Sequence, residues 1–535
     1  MSFELRDREL LGRMGRLKTK GGTVETPAFM PVVNPVTQSL PPRKMKDEFG
    51  CEIIITNSYI IKRNFGDSPD IDVHRLIDFD GVVMTDSGAY QILVYGDVKA
   101  APDEMIGFQQ RLGSDIAVIL DIPTGWNESR SRVEWTVEET LRRARDALPL
   151  IEGDDTLWVG PVQGGAFLDL VEHSARSIGE MPYQIHALGS PTEVMENYNF
   201  PVLVDMIMAA KLNLPPDRLF HLFGAGHPMM FSMAVALGCD LFDSAAYALY
   251  AKEGRYMTTR GTRRLKDLNY LPCSCPVCSR IDAEELKEML KSERIRLLTE
   301  HNLHICMGEM RRVKQAIAEG TLWELMTARS RGHPSLTSAV RRLMGYREAL
   351  ERSNPSFKGR GLFFFDSGDL ARPEITRHVT RLETNFLPSR VGSTLLLVSA
   401  PQRKPFTRTE EHKKLVGVLE RLRKDERGID VCYYTAPFGV VPIELAETYP
   451  LSQYVVAEPF GKETLEFTAG NISKYVIESS YREIVMLAGS TPLDEIVKAK
   501  MEGTCVNEGI AFKLVETAED NDDAWDKLEL ALGEE

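Results

Sequence analysis

Through the first 250 residues or so, short apolar runs alternate with longer segments of helical period, and this alternation leaves few folds open. The runs are CEIIIT (51–56), GVVMTD (81–86), IAVILD (116–121), LWVGPVQ (157–163), YQIHALG (183–189), RLFHLFG (218–224) and CDLFDS (239–244). Each is close to continuously hydrophobic, as strands covered on both faces of a sheet must be. Between them stand stretches such as TVEETLRRARDALPLI, whose apolar residues recur at helical spacing. Strands joined by helices make a parallel sheet. Nearly eight of them over some 250 residues favour an α/β TIM (β/α)8 barrel over an open doubly wound sheet. No G-x-G-x-x-G follows an early strand, which removes the main sign of a dinucleotide-binding sheet.

What ends each run matters as much as the run itself. Asp86, Asp121, Gln163, Gly189, Gly224 and Asp243 sit at or just past predicted strand C-termini. In a barrel these positions gather on one face, where chemistry is done. A lone Asp there is ordinarily a cap or turn residue. Three Asp and a Gln in the same register, beside SGAYQ and VQGG, point to a site. Two carboxylates on one face suit displacement at an anomeric carbon, one attacking and one managing protons. A third carboxylate held against apolar neighbours suits a base edge with adjacent N–H donors such as guanine, and Tyr90 suits stacking on that base.

LPCSCPVCSR (271–280) crowds Cys273, Cys275 and Cys278 into a chain with eight cysteines. Its prolines and serines mark a loop, and a disulfide across one or two residues is strained. A metal site lacking one ligand is the better account. Downstream, Asp282 and Glu285 form a capping-box pattern opening a helix that can return His301, His304 or Cys306, and spacing does not choose among them. Soft thiolates with imidazole predict one structural Zn2+.

The chain has 535 residues, too many for one ordinary core. The expected division is 1–345 for the barrel, including a zinc subdomain at about 270–310, then a smaller α/β domain over 360–505. A short segment, 506–535, carries an acidic tail. MSFELRDREL has no apolar core of a secretory signal, TLLLVSA is too short to span a bilayer, and scattered cysteines (51, 239, 432, 505) suit a reducing cytoplasm. Net charge is −14, yet basic clusters stand at 254–266, 310–314 and 341–347. The first contains Arg255, Arg260, Arg263, Arg264 and Lys266, between the aspartate face and the cysteine loop, where a phosphate-contacting surface is expected.

TDSGAYQ, LDIPT, VQGG, HALG, FGAGHP, FDSAAYAL, CSCPVC and TEHN, in this order, resemble the tRNA-guanine transglycosylase family over residues 1–345. The resemblance implies a TIM barrel with an inserted zinc subdomain and base exchange in tRNA through a covalent intermediate. It matches Asp243 to the nucleophile that attacks C1′ of the ribose and Asp86 to the general acid/base. Asp121 and Gln163 match base-recognition residues, with Ser87, Tyr90, Gly164, Ala187 and Gly189 lining the pocket, and His301 of TEHN completes the zinc set. AAYALYAKEGRYMTTRGT and APFGVVPIELAETYPLSQY are similar to the archaeal branch. That branch replaces guanine at position 15 of the tRNA D-loop with 7-cyano-7-deazaguanine on the way to archaeosine. Its members usually end in a PUA domain that grips the acceptor stem, whereas the last twenty residues here hold nine acids and one lysine. A separate PUA-domain protein is therefore expected to supply that contact, and a homodimer with no membrane association is expected. The competing classes are an archaeosine synthase-like paralogue and a non-catalytic tRNA-binding partner subunit. The presence of both Asp86 and Asp243 stands against each.

Overall fold

The computed structural model describes residues 2–68, 70–89, 101–386, 394–422, 428–517 and 523–533. They form two compact units, Met1–Gly345 and Tyr346–Glu535.

The first unit opens with a three-stranded antiparallel sheet: β1 (Ser2–Glu9), β2 (Gly12–Thr19) and β3 (Gly22–Thr26). Its buried Leu17 and Val24 pack into the same cluster as the first residues of the barrel strands, among them Ile53, Val82, Ile116 and Leu157. This sheet thus closes the N-terminal end of the barrel. Its other face is polar, which is why the sequence shows no apolar run here.

Eight parallel strands close the barrel: β4 (Ala28–Val33), β5 (Ile53–Asn57), β6 (Val82–Asp86), β7 (Ile116–Val118), β8 (Leu157–Val162), β9 (Ile185–Leu188), β10 (Leu219–Leu222) and β11 (Leu241–Ser244). Closure comes from β11 lying beside β4, Leu241 opposite Ala28 through Ser244 opposite Pro31. The TIM barrel expected from the alternation is present, and its missing eighth strand is β4. Pro31 lies inside that strand with Pro27 and Pro35 on either side, and prolines so crowded argue against a strand when only the sequence is read. Met30, Ile55, Met84, Val118, Val159 and Ala187 fill the interior.

After β11 the chain makes a hairpin, β12 (Arg255–Thr258) against β13 (Gly261–Arg264). The cysteine loop follows. Asp282 and Glu285 form the capping box expected, but the helix they open, Ala283–Glu288, is short. Leu290 is extended, and a new helix runs Lys291–Glu319, 29 residues that carry His301 back past the loop.

In the second unit a five-stranded sheet has the order β17-β16-β15-β19-β20 and is parallel except for β17. Its strands are β15 (Thr394–Ser399), β16 (Ile429–Thr435), β17 (Gly439–Pro442), β19 (Glu483–Ala488) and β20 (Ala511–Glu516); β14 (Leu362–Phe364) and β18 (Tyr454–Val456) form a separate parallel pair. Apolar clusters cover both faces of the sheet. Two sequence boundaries need correction. Residues 506–535 are not a separate segment, because β20 is a strand of this sheet and the helix Asp523–Gly533 buries Ala524, Leu528 and Leu532. That stripe, three residues at a spacing of four, is masked in the sequence by the acids around it. The second unit also begins before residue 360. Arg377 bonds Glu351 and the carbonyls of Asn354 and Pro355, and Lys358 pairs with Glu374 at 2.9 Å, both side chains buried. Among the described residues no helix is long and apolar enough to cross a membrane.

Candidate active site and metal centre

Barrel geometry brings the strand-end residues to one mouth. Asp86 is the last residue of β6, Asp121 follows β7, Gln163 follows β8, Gly189 follows β9 and Asp243 lies in β11. Asn57, at the end of β5, accepts a hydrogen bond from the Ile60 amide as helix cap and donates from Nδ2 to Asp86 Oδ2 at 2.9 Å. One side chain therefore starts a helix and orients a carboxylate. Burial, with Asp121 and Asp243 nearby, pushes the Asp86 carboxyl up to about 7, against hydrogen bonds from Gly88 and Asn57. Burial likewise raises Asp121 to about 6, opposed by its bond from Gln163.

Gln163 Nε2 donates to Asp121 Oδ2 at 2.6 Å, while Gln163 Oε1 accepts from the Thr124 amide at 3.1 Å and from Ser190 Oγ at 3.3 Å. These contacts fix which end of the amide faces the carboxylate. Gly189 has to be glycine here: a Cβ would stand 2.2 Å from Gln163 Nε2. Gly164 starts the turn after β8. Ser87 is buried and its hydroxyl donates to the Ile119 carbonyl at 3.2 Å, tying the turn after β6 to its neighbour. Ala187 faces the barrel interior, fully buried. Tyr90 lies outside the described residues. Asp243 Oδ1 accepts from His221 Nε2 at 2.8 Å and from the Gly224 amide at 2.9 Å.

Sequence reasoning missed Asn57, Thr124, Ser190 and His221. Asn57 stands one residue past a quoted run, in the same strand-end register as the aspartates. His221 lies inside an apolar run, where a lone polar residue near a strand's C-terminus was the available signal.

Cys273, Cys275, Cys278 and His301 converge, their four ligand atoms all within 4.8 Å of one another, and this set could hold a metal ion. The surroundings fit that use. His301 Nε2 donates to the Met257 carbonyl at 3.0 Å, which leaves Nδ1 facing the sulfurs, 3.3 Å from Cys278 Sγ. Tyr256 stacks on the imidazole with centroids 3.6 Å apart, and its hydroxyl lies 3.2 Å from Cys278 Sγ. Such outer contacts fix ring orientation and satisfy thiolates. Next to His301, Asn302 donates to the Tyr247 and Arg255 carbonyls and accepts from the Met257 amide, locking the hairpin to the long helix. His304 instead packs on Phe49 at 4.2 Å, and Cys306 is buried near the Gly226 carbonyl.

The hairpin's cations differ from one another. Arg255 pairs with Glu253 at 2.9 Å and lies over the Tyr250 ring. Arg260, Arg263, Arg264 and Lys266 are exposed, and among the described residues no carboxylate is within ion-pair distance of them. Beside them opens a cleft of about 550 Å³ lined by Arg255, Arg264, Lys266, Lys287 and Arg294. By contrast Arg312 pairs with Glu309, Lys314 with Glu25 and Arg342 with Asp205, so half of the six cations in the other two basic clusters are paired with the protein's own acids.

Residues 7–335 match a family model described as queuine tRNA-ribosyltransferase, and residues 375–532 match one described as a domain of unknown function. The tRNA-guanine(15) transglycosylase of Aeropyrum pernix is 45% identical over 458 residues, 84% of this chain and 87% of that one. Its namesake from Sulfolobus acidocaldarius is 40% identical over 492 residues, 91% and 95% of the two chains. That from Pyrobaculum aerophilum is 43% identical over 458 residues, 85% and 90%. With the barrel, the aspartate mouth and the Cys3His cluster in place, the chain belongs to the tRNA-guanine transglycosylase family of tRNA-ribosyltransferases.

Proposed function

We propose that this protein replaces guanine at position 15 of the tRNA D-loop with 7-cyano-7-deazaguanine, through an aspartyl–ribose intermediate, in the route to archaeosine. The observation that carries this is the contrast among three carboxylates at one barrel mouth. Asp243 is held by two donors, Asp86 is raised to about 7 and Asp121 is aligned by Gln163. An ionised Asp243 attacks C1′ as the C1′–N9 bond breaks and its electron pair passes to guanine. Protonated Asp86 supplies the departing base with a proton. The incoming base returns a proton to Asp86 from its own N9, and N9 attacks C1′ to release Asp243. Asp121 accepts hydrogen bonds from adjacent N–H groups on the base edge, which guanine and 7-cyano-7-deazaguanine share. The pocket is completed by Ser87, Tyr90, Gly164, Ala187 and Gly189. The name shared by the relatives supports position 15.

The metal is zinc, bound by Cys273, Cys275, Cys278 and His301, and its role is to tie loop, hairpin and helix together away from the reaction. Arg260, Arg263, Arg264 and Lys266 meet tRNA phosphates, and the protein works in the cytoplasm. The test is release of radiolabelled guanine from tRNA on adding 7-cyano-7-deazaguanine, with queuine and the aminomethyl analogue alongside. Release with the cyano base alone is expected; none with it, or equal release with queuine, overturns the assignment. For zinc, Cys275→Ser or His301→Ala should lower metal content and melting temperature together. A variant that loses zinc but keeps its melting temperature and activity overturns the structural role.

A further inference from the structure

Both donors on the Asp243 carboxylate reach the same oxygen. His221 Nε2 is 2.8 Å from Oδ1, the Gly224 amide is 2.9 Å from Oδ1, and among the described residues no donor reaches Oδ2. Resting on the base exchange proposed above, we infer that His221 is a positioning residue for Asp243, which with the Gly224 amide grips Oδ1 and leaves Oδ2 as the oxygen that bonds to C1′.

His221 is well placed for this. It lies on β10 between Leu219 and Phe223, two side chains of the barrel-interior cluster, and strand alternation turns it inward with them. It is fully buried, and the Phe223 ring meets it edge-on at 4.6 Å. Because Oδ1 already accepts an amide N–H, Nε2 is the donor toward it. Nδ1 is buried with no hydrogen-bond partner among the described residues, so a second proton there would be a buried donor without an acceptor. The Nε2 proton therefore faces the carboxylate, and this N–H orients it through Oδ1. Gly224, whose amide reaches the same oxygen, has a φ of +68°, and a Cβ there would stand 2.7 Å from Thr192 Oγ1.

In the first half-reaction Oδ2 forms its bond to C1′ as C1′–N9 breaks, the pair goes to N9 of guanine and Asp86 supplies the proton. In the second, N9 of the incoming base bonds to C1′, its proton goes to Asp86, and the C1′–Oδ2 pair returns to the carboxylate. Oδ1 becomes the carbonyl oxygen of the intermediate and remains an acceptor, so both hydrogen bonds persist through each half.

The test uses the full chain with His221→Leu, His221→Asn and His221→Gln. It measures the single-turnover rate of protein–tRNA adduct formation at saturating tRNA, tRNA affinity and the melting curve. His221→Leu should slow adduct formation roughly ten- to hundredfold, the weight of one hydrogen bond to a charged group, with tRNA affinity changed less than about twofold. Gln places an N–H near the position of imidazole Nε2 and should recover the rate to within about fivefold, whereas the shorter Asn should stay slow. If His221→Leu does not fold, the Asn and Gln pair carries the test. A Leu variant that reacts at the unaltered rate, or a Gln variant as slow as Asn while both fold and bind tRNA, overturns the inference. Absence of an adduct from the unaltered chain would instead overturn the covalent reading beneath it, so the two failures are distinguishable.

Discussion

The two ends of the barrel hold buried aspartates in opposite circumstances. At the N-terminal end Asp240 receives Arg13 Nε on one oxygen at 3.1 Å and Nη2 on the other at 2.6 Å, with the Phe220 amide at 2.8 Å. Asp115 there takes the Val83 amide at 2.8 Å and lies 3.2 Å from His74 Nε2. At the C-terminal end Asp121 is as buried and Asp86 is half-buried, but among the described residues neither has a cation within ion-pair distance, and each is raised well above an ordinary carboxyl. Residue type is shared; partnering is not. A carboxylate closed by an arginine fork can only hold the fold together, whereas one left without a cation is poised to take a proton or meet a ligand.

The sharpest break of this comparison is to remove one aspartate from each end. Asp243→Ala should abolish exchange, at least about a thousandfold, because no other group replaces a covalent nucleophile. Denaturing gels should show a protein–RNA adduct from the unaltered chain and none from the variant, whose melting curve and tRNA affinity stay close to the parent's. An adduct from the variant would move the nucleophile to Asp86 or elsewhere. Asp240→Ala should do the reverse. It strands Arg13, whose side chain is only 11% exposed, and breaking such a pair costs about 3–5 kcal/mol. Denaturant unfolding would show the loss, while kcat of the folded fraction stays unchanged. A large fall in kcat with stability intact would mean that the two ends do not divide the work in this way.

Much of this division was legible in the sequence, and the exceptions have physical causes. Parallel barrel strands are buried on both faces, so seven of them stood out as apolar runs, and the aspartates stood out because they ended those runs. β4 did not, since Pro27, Pro31 and Pro35 crowd it, and neither did β1–β3, which bury one face only. At the site, the residues proposed to meet the base or sugar sit at strand ends and can be read by position. The residues that hold them cannot be read this way. A lone polar position near a strand's end is all that marks His221 within RLFHLFG, and it does not separate this residue from a core histidine until Asp243 is seen 2.8 Å away. In the second unit the stripe Ala524, Leu528, Leu532 was lost among acids, although it seals one face of a sheet.

A smaller effect tests whether lack of a partner is what distinguishes Asp86. Its carboxyl moves from 3.8 to about 7 on folding. Between those values the unfolded chain is ionised while the folded chain keeps a proton, so the folded state is favoured most at low pH and loses stability as pH rises through 7. Asp86→Asn removes that loss. The variant should be more stable than the parent by about 1–3 kcal/mol at pH 8, with the difference closing as pH falls toward 4. Asp121, also raised, remains in both chains and cancels to first order. Unfolding free energies across this range provide the check, and a difference independent of pH would show that desolvation does not govern Asp86.

The same distinction applies to cations, with the smallest expected effect. Arg312, Lys314 and Arg342 are paired with the protein's own acids, whereas Arg263 and Arg264 are exposed with no such partner among the described residues. On a chain of net charge −14, an unpaired basic hairpin beside the catalytic mouth is where a polyanion gains most. Each phosphate contact releases condensed counterions, so tRNA affinity should fall steeply with salt despite the overall charge. Arg263→Ala with Arg264→Ala should flatten the log–log salt slope by about one unit per lost contact. Binding of free base should not change, because Asp121 and Gln163 lie in the barrel mouth and not on the hairpin. Arg312→Ala with Arg342→Ala is the matched control. Arg342 pairs with Asp205 and Arg312 shares Glu309 with Arg329, so the slope should change less than in the hairpin variant. Should the two double variants flatten the slope equally, pairing within the protein would not be what separates functional from structural charge, and the hairpin would count only as part of a general basic surface.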